Sequence, residues 1–187
     1  QQAGETAQAL VLWQGVGPKP RQDPGRRNAV AIAYDSLGQP AAAERVLAVG
    51  PQNVQTWGMR ASLLAKQGDT AALSGLYNEL SRQAAKLDPA QRLLLGKIAE
   101  YLKRYPEAVN WYHSVPGGEE LSEARLRAAN AQGLAGRQSL ALDEVHAIQS
   151  DASVDDDVRR DVHLLDAELR QPAAGLPGGL ARGRPCG

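Results

Sequence analysis

Several residue types that shape folds and sites are scarce in this 187-residue chain. Phe is absent, aromatic residues make up 4% of the sequence, and Cys186 is the single cysteine. One cysteine excludes an intrachain disulfide and a cysteine-based zinc cluster, and the shortage of aromatics argues against a β-sheet core. Long stretches of Ala, Leu, Arg, Gln and Glu favour helices instead. The composition therefore predicts an all-α fold.

The chain also lacks a net charge and a long apolar run. Lys plus Arg and Asp plus Glu each total 21, so no net field would attract phosphate backbones or anionic lipid. The longest apolar stretches, 9–13 and 93–95, are far shorter than the roughly 18–20 residues of a membrane-spanning helix. We therefore expect no nucleic-acid partner and no membrane insertion of this chain. A basic cluster without interleaved aromatics is interpreted as a solvated connection; it comprises Lys19, Arg21, Arg26 and Arg27.

The sequence contains none of the short motifs searched for as signatures of catalysis or nucleotide binding. It has no GxGxxG, GxxxxGK[ST], HExxH, GxSxG or CxxC segment. The three histidines, His113, His146 and His163, each fall in a different predicted helix, and His113 is expected near a helix C-terminus. We therefore expect no enzymatic activity and no cofactor.

An acidic segment beginning at Asp151 resembles the opening of a calcium loop. Its sixth position is Asp156 instead of glycine, and its twelfth is Val162 instead of glutamate, and both changes disable such a loop. We instead expect Ser153 to cap the last helix, with Asp156 completing a capping box. No metal site is expected.

Glycine and proline divide the chain into helices of similar length. Residues 15–25 and 172–187 hold nearly half of the 30 Gly and Pro residues. Between these segments, apolar runs of helical period are bounded by Asp and Pro at their starts and Gly at their ends. The predicted helices are 4–14, 26–37, 40–49, 54–67, 70–86, 89–104, 106–115, 120–135, 138–149 and 154–170. The predicted organisation is a flanking helix at 1–14, a linker at 15–25, a repeat array at 26–150, a terminal helix at 151–170 and a disordered tail at 171–187.

The turns between paired helices recur at a regular spacing. Gly38, Gly68, Lys103 and Gly136 align at intervals of 30, 35 and 33 residues. Short connections force each helix to fold back on its neighbour, and a helical hairpin with a period near 34 resembles the tetratricopeptide repeat (TPR). The resemblance implies a right-handed α-solenoid of about four degenerate hairpins with flanking half-repeats.

The third unit carries the TPR resemblance most clearly. It reads Leu-Gly at 95–96, Lys-Arg-Tyr-Pro-Glu-Ala at 103–108 and Trp-Tyr at 111–112. By the resemblance, Ala108 lets the second helix approach the first closely, and Tyr112 fills the groove beside it. The other units match the pattern less completely.

The resemblance further implies that the first helix of each unit lines a concave wall that holds a peptide or another protein. The wall is expected to be polar and of mixed sign. Its positions correspond here to Asn28, Asp35, Gln55, Ser62, Lys66, Lys97, Glu100, Tyr101, Glu123 and Asn130. Capture of a C-terminal carboxylate, as in chaperone-binding TPR proteins, is not expected because the corresponding positions hold other residues. These are Asn28, Ile32, Met59, Ala90 and Leu94.

Segments 93–108 and 123–130 resemble TPR proteins of Gram-negative bacteria, some of which are periplasmic or outer-membrane-anchored scaffolds. This resemblance implies a non-catalytic scaffold or adaptor in envelope assembly or proteolysis. The alternative is a regulatory TPR segment of a larger cytoplasmic enzyme or transcription regulator. Met59 is the single methionine, so we expect the natural start to be missing and the compartment is not directly readable. The resemblance favours the bacterial periplasm or an association with the outer membrane, and the alternative is the cytoplasm.

The helix predicted at 154–170 presents a broad apolar face. The segment that follows is rich in Gly and Pro and is not expected to pack on that face, although the end of a repeat array needs a polar covering. We therefore expect either self-association through residues 154–170 or a fragment boundary there. The apolar residues of this face are Val158, Val162, Leu165, Ala167 and Leu169.

Overall fold

The computed structural model describes residues 23–171, together with Gly4 and Gln8. Within residues 23–171 the chain forms α-helices and one short 3-10 turn, Ala84–Lys86, with no β-strand. The predicted all-α class is therefore confirmed for this part of the chain. The helices are α1 (Pro24–Ser36), α2 (Pro40–Ala48), α3 (Val54–Gln67), α4 (Thr70–Ser81), α5 (Pro89–Tyr101), α6 (Tyr105–His113), α7 (Glu120–Leu134), α8 (Gln138–Gln149) and α9 (Asp156–Arg170).

Some sequence predictions lie outside the described residues. They are the continuous helix at 1–14, nearly all of the linker at 15–25, and the tail after Gln171. The structure adds nothing to them.

Polar side chains begin several of the helices. The side chains of Asp23, Asn53, Asp69 and Asp88 each accept a hydrogen bond from a backbone N–H in the first turn of α1, α3, α4 and α5. At α5 the bond is reciprocal, because the Gln91 side chain accepts from the Asp88 N–H at 3.0 Å. The predicted starts at Asp69 and Asp88 are confirmed.

One backbone turn recurs at the ends of α1, α3, α5 and α7. Gly38, Gly68, Lys103 and Gly136 have φ values of 73°, 69°, 59° and 77°. In each turn the next residue donates its N–H, at 2.9–3.0 Å, to the carbonyl five positions back, as in a Schellman motif. Lys103 adopts the left-handed conformation although it carries a side chain. The four turns predicted from the spacing are therefore confirmed as turns of one geometry.

The helices pack progressively along the chain. Each contacts the next, and the odd-numbered helices also contact one another, α1 with α3, α3 with α5, α5 with α7 and α7 with α9. The odd-numbered helices thus form one layer, hereafter the odd-helix layer. The hydrophobic core lies between the odd- and even-numbered helices. It has a large central cluster on α3 to α7 and a smaller cluster at either end.

Helices α5 and α6 lie close together at Gly96. A Cβ atom at this position would lie 2.4 Å from Cε1 of Tyr112, and Tyr112 and Ala108 are both fully buried. The ring of Tyr112 on α6 therefore packs directly against Gly96 on α5.

The structure corrects several predicted helix limits: the helix predicted at 89–104 ends at Tyr101 and the one predicted at 154–170 begins at Asp156. Helix α1 begins at Pro24 because Asp23 caps it and proline suits a first turn, so the last two residues of the predicted 15–25 linker are helical. The helix predicted over 70–86 ends at Ser81. Leu80 is its last buried residue, and Arg82 and Gln83 are exposed and give no packing to hold a further turn.

Ser153 does not cap the last helix, which begins at Asp156 with Asp155 in the capping position. The Ser153 N–H and hydroxyl both donate to Asp151 Oδ1, at 2.9 and 2.6 Å. With Arg125 also bound to Asp151 at 2.8 Å, these hydrogen bonds lower the pKa of Asp151 to about 2. A local Asx turn therefore competes successfully with the predicted cap.

Arg27 is buried, which corrects its assignment to a solvated basic cluster. Only 1% of its surface is exposed, and its guanidinium donates to the carbonyls of Val49 and Pro51, the latter at 2.6 Å. Val49 ends α2, so the Arg27 charge lies at a helix C-terminus, where carbonyls favour a cation. Arg27 thereby ties α1 to the connection between α2 and α3.

The apolar face of α9 is largely covered within the chain. Val162 and Leu165 are buried against α7 and α8, and Leu169 packs against the same cluster. The expectation that this face is open is therefore corrected for these residues, since α7 and α8 provide the missing covering. Leu164 is 66% exposed. Self-association through residues 154–170 stays a prediction, and it would have to use this other side of the helix.

Candidate functional site

All ten residues predicted for the inner wall lie on odd-numbered helices. The structure divides most of them between two neighbouring regions of the odd-helix layer. Lys97, Glu100, Glu123 and Asn130 meet between α5 and α7. The remaining residues lie on or beside α3, where the surface forms a groove. Asn28, on α1, is partly buried, and its Oδ1 has no partner among the described residues.

The first region is a set of hydrogen-bonded side chains, hereafter the polar network. Glu123 Oε1 lies 2.8 Å from both Lys97 Nζ and Arg127 Nε. Glu100 accepts a hydrogen bond from the Tyr112 hydroxyl at 2.5 Å and one from Asn130 Nδ2 at 3.5 Å, and Arg127 Nη1 lies 3.6 Å from its carboxylate. The polar network comprises Lys97, Glu100, Tyr112, Glu123, Arg127 and Asn130.

The polar network shifts the pKa values of Tyr112 and Glu123. Burial and the hydrogen bond to Glu100 raise the pKa of Tyr112 well above its usual 10. Burial disfavours the charged form of Glu123, but hydrogen bonds from Lys97 and Arg127 outweigh it and lower the pKa of Glu123. At neutral pH the tyrosine is therefore neutral and the carboxylate ionised. These groups bind one another, although the side chains of Lys97, Glu123 and Arg127 are still 38%, 44% and 39% exposed.

The second region begins as a cavity of about 360 Å³ between α1 and α3. Its surface is mostly apolar, and Ile32 within it is 57% exposed. The exposed side chains of Gln55 and Ser62 are its uncharged polar members. The cavity is lined by Ala31, Ile32, Asp35, Gln55, Gly58, Met59, Ser62 and Leu63.

A second cavity, of about 170 Å³, lies between α3 and α5. It shares Gly58 and Ser62 with the first, so the two are separated only by the small residues of α3. We call the two cavities together the groove. The second cavity is lined by Gly58, Ala61, Ser62, Ala65, Leu73, Leu94, Lys97, Ile98 and Tyr101.

The charged groups at the groove have partners within the chain. Lys66 Nζ lies 2.8 and 2.7 Å from the two carboxylate oxygens of Asp35. Lys97 is bound to Glu123 in the polar network. The Tyr101 hydroxyl donates to the carbonyl of Ala65 at 2.7 Å, while its side chain leaves the residue 47% exposed. The groove therefore offers apolar surface with its charges already compensated.

Sequence reasoning missed several members of both regions. Arg127 lies four residues after Glu123, a spacing that places both side chains on one helix face, so a signal for that pair existed. Ile32, Met59 and Leu94 were noted only as residues unlike those of a carboxylate clamp. These three residues lie on three different helices and come together beside Gly58. The sequence pattern of any one helix does not indicate this packing.

Two further cavities lie elsewhere on the described part of the chain. One, of about 150 Å³, is lined by residues of α6, α7 and α8, and in it His113 Nε2 contacts the Glu144 carboxylate. His113 ends α6 as expected. The other, of about 710 Å³, lies at one end of the odd-helix layer and includes Leu134 and Leu169. The smaller of these two cavities is lined by none of the ten predicted residues, and the larger is lined by one of them, Asn130.

Comparison with known proteins does not assign a family. A scan against protein-family models finds no match, and a search of curated proteins finds none either. Among the described residues, no group of three or more His, Cys, Asp or Glu side chains is placed to share a metal ion. In the same part of the chain, no helix combines the length and apolar character needed to cross a membrane.

Proposed function

We propose that this protein is a non-catalytic scaffold or adaptor that binds a protein or peptide on the odd-helix layer. The observation that carries the proposal is the groove, in which two mostly apolar cavities adjoin across Gly58 and Ser62. Apolar depressions with a few polar groups at their edges are suited to receive side chains of a bound partner. A groove that crosses three helices suits a polypeptide segment better than a compact small molecule.

We further propose that the helices form an α-solenoid of TPR-like hairpins. Two observations support this architecture. The same left-handed turn ends α1, α3, α5 and α7, and the contacts between successive odd-numbered helices are those of stacked helical pairs. In a solenoid the first helices of the pairs form an extended concave surface, which is the layer that carries the groove.

The resemblance of segments 93–108 and 123–130 to bacterial envelope TPR proteins supports a role in envelope assembly or proteolysis. Proteins of this class act by holding other proteins together. The groove would supply one such contact.

Selection of peptides on the full 187-residue chain tests the proposed function. The immobilised chain is exposed to a phage library of random 12-residue peptides, and enriched peptides are tested again on two variants. Gly58→Leu fills the junction of the two cavities. Gly75→Leu is the matched control, because Gly75 also lies within a helix but has no atom within 4 Å of its Cβ position. We expect Gly58→Leu to abolish binding and Gly75→Leu to preserve it.

Equal binding by both variants would contradict the proposed function. Failure of the library to yield any specific peptide would contradict it too. Circular dichroism and thermal unfolding of both variants establish that a loss of binding does not reflect a loss of fold.

A further inference from the structure

We draw no further inference here: the strongest candidate, the cavity of about 710 Å³ lined by Leu134, Leu142 and Leu169 where α7, α8 and α9 meet at one end of the odd-helix layer, is an apolar face for which nothing in the structure shows what covers it.

Discussion

The odd-helix layer has two adjoining regions of opposite character. Between α5 and α7, the polar network joins six side chains and includes the fully buried Tyr112. Between α1, α3 and α5, the groove exposes apolar surface at Ile32 and Tyr101. Both regions contain residues that the sequence places on one binding wall, but the polar network presents paired polar groups, whereas the groove presents mostly apolar surface.

The difference shows that a polar residue at a wall position is not evidence for contact with a ligand. Helices α5 and α7 carry groups of opposite charge within reach of each other, and these groups pair. On α3 the small residues Gly58 and Ser62 leave space that neighbouring side chains do not fill. We therefore expect a partner to bind where the charged side chains already pair within the chain but the apolar side chains leave space unfilled.

The largest expected effect on stability comes from replacing one glycine beside each region with alanine. A Cβ atom at Gly96 would lie 2.4 Å from the ring of Tyr112, whereas one at Gly58 would meet only Leu94 Cδ1, at 3.9 Å. Both changes improve helix propensity by roughly 0.5–1 kcal/mol. We expect Gly96→Ala to lower the unfolding free energy by about 1–3 kcal/mol through overpacking, and Gly58→Ala to raise it by about 0.5–1 kcal/mol.

Urea unfolding followed by circular dichroism measures both changes. Tyr112 cannot move aside easily, because it is buried and bound to Glu100. Similar unfolding free energies for the two variants would show that the region behind the polar network is as loosely packed as the groove.

Two tyrosines allow a matched comparison of hydrogen bonds. The Tyr112 hydroxyl donates to the Glu100 carboxylate at 2.5 Å and is buried, whereas the Tyr101 hydroxyl donates to the Ala65 carbonyl at 2.7 Å in an exposed position. We expect Tyr112→Phe to lower the unfolding free energy by about 1–2 kcal/mol, since the bond is to a charged group. Tyr101→Phe should change it by less than about 0.5 kcal/mol. A larger loss of stability in Tyr101→Phe than in Tyr112→Phe would contradict the prediction that the buried hydrogen bond contributes more to stability than the exposed one.

Alkaline titration tests the protonation of the polar network. The pKa of Tyr112 is raised in the folded chain from its usual value of 10.0. The unfolded chain therefore loses the proton as pH rises past 10, while the folded chain keeps it, and stability that is fully present below pH 10 is lost above it. We expect the unfolding free energy to fall above pH 10 more steeply in the unchanged chain than in Tyr112→Phe. The two slopes should differ by at most about 1.4 kcal/mol per pH unit.

Unfolding of both proteins in urea between pH 8 and pH 11.5 gives the slopes. The comparison cancels contributions from the other tyrosines, including Tyr77, whose pKa burial and Glu107 also raise. Parallel slopes would mean that Tyr112 ionises as readily in the folded chain as in the unfolded one.

The helix starts and turns could be predicted because their signals are local. Asp88 followed by Pro89 marks a helix start in the sequence alone. The spacing of the turns identified even Lys103, whose residue type argues against a left-handed conformation. In these cases the residues that cause the structure are neighbours along the chain.

The parts that could not be predicted depend on distant residues. Arg27 is buried by carbonyls more than twenty positions away, so its charge alone suggested the wrong environment. Tyr112 joins the polar network from an even-numbered helix, whereas the TPR resemblance assigned wall positions only to the first helix of each unit. The groove requires Gly58 to lie against α1 and α5 together, and no pattern within α3 indicates that arrangement.

The smallest predicted effect concerns the charge pair beside the groove. Lys66 and Asp35 lie 2.7 Å apart, but their side chains are 59% and 31% exposed. An exposed pair gains little over hydration and is screened by salt. A double-mutant cycle with Lys66→Gln and Asp35→Asn should therefore give a coupling of about 0.2–1 kcal/mol at low salt, falling towards zero in 1 M salt.

The pair neutralises the charge beside the groove without holding the fold together, so each single change should leave one uncompensated charge there. The variant that keeps Lys66 should then select acidic peptides, and the variant that keeps Asp35 should select basic ones. A strong coupling that resists salt would instead make the pair a structural element of the fold and would contradict this prediction.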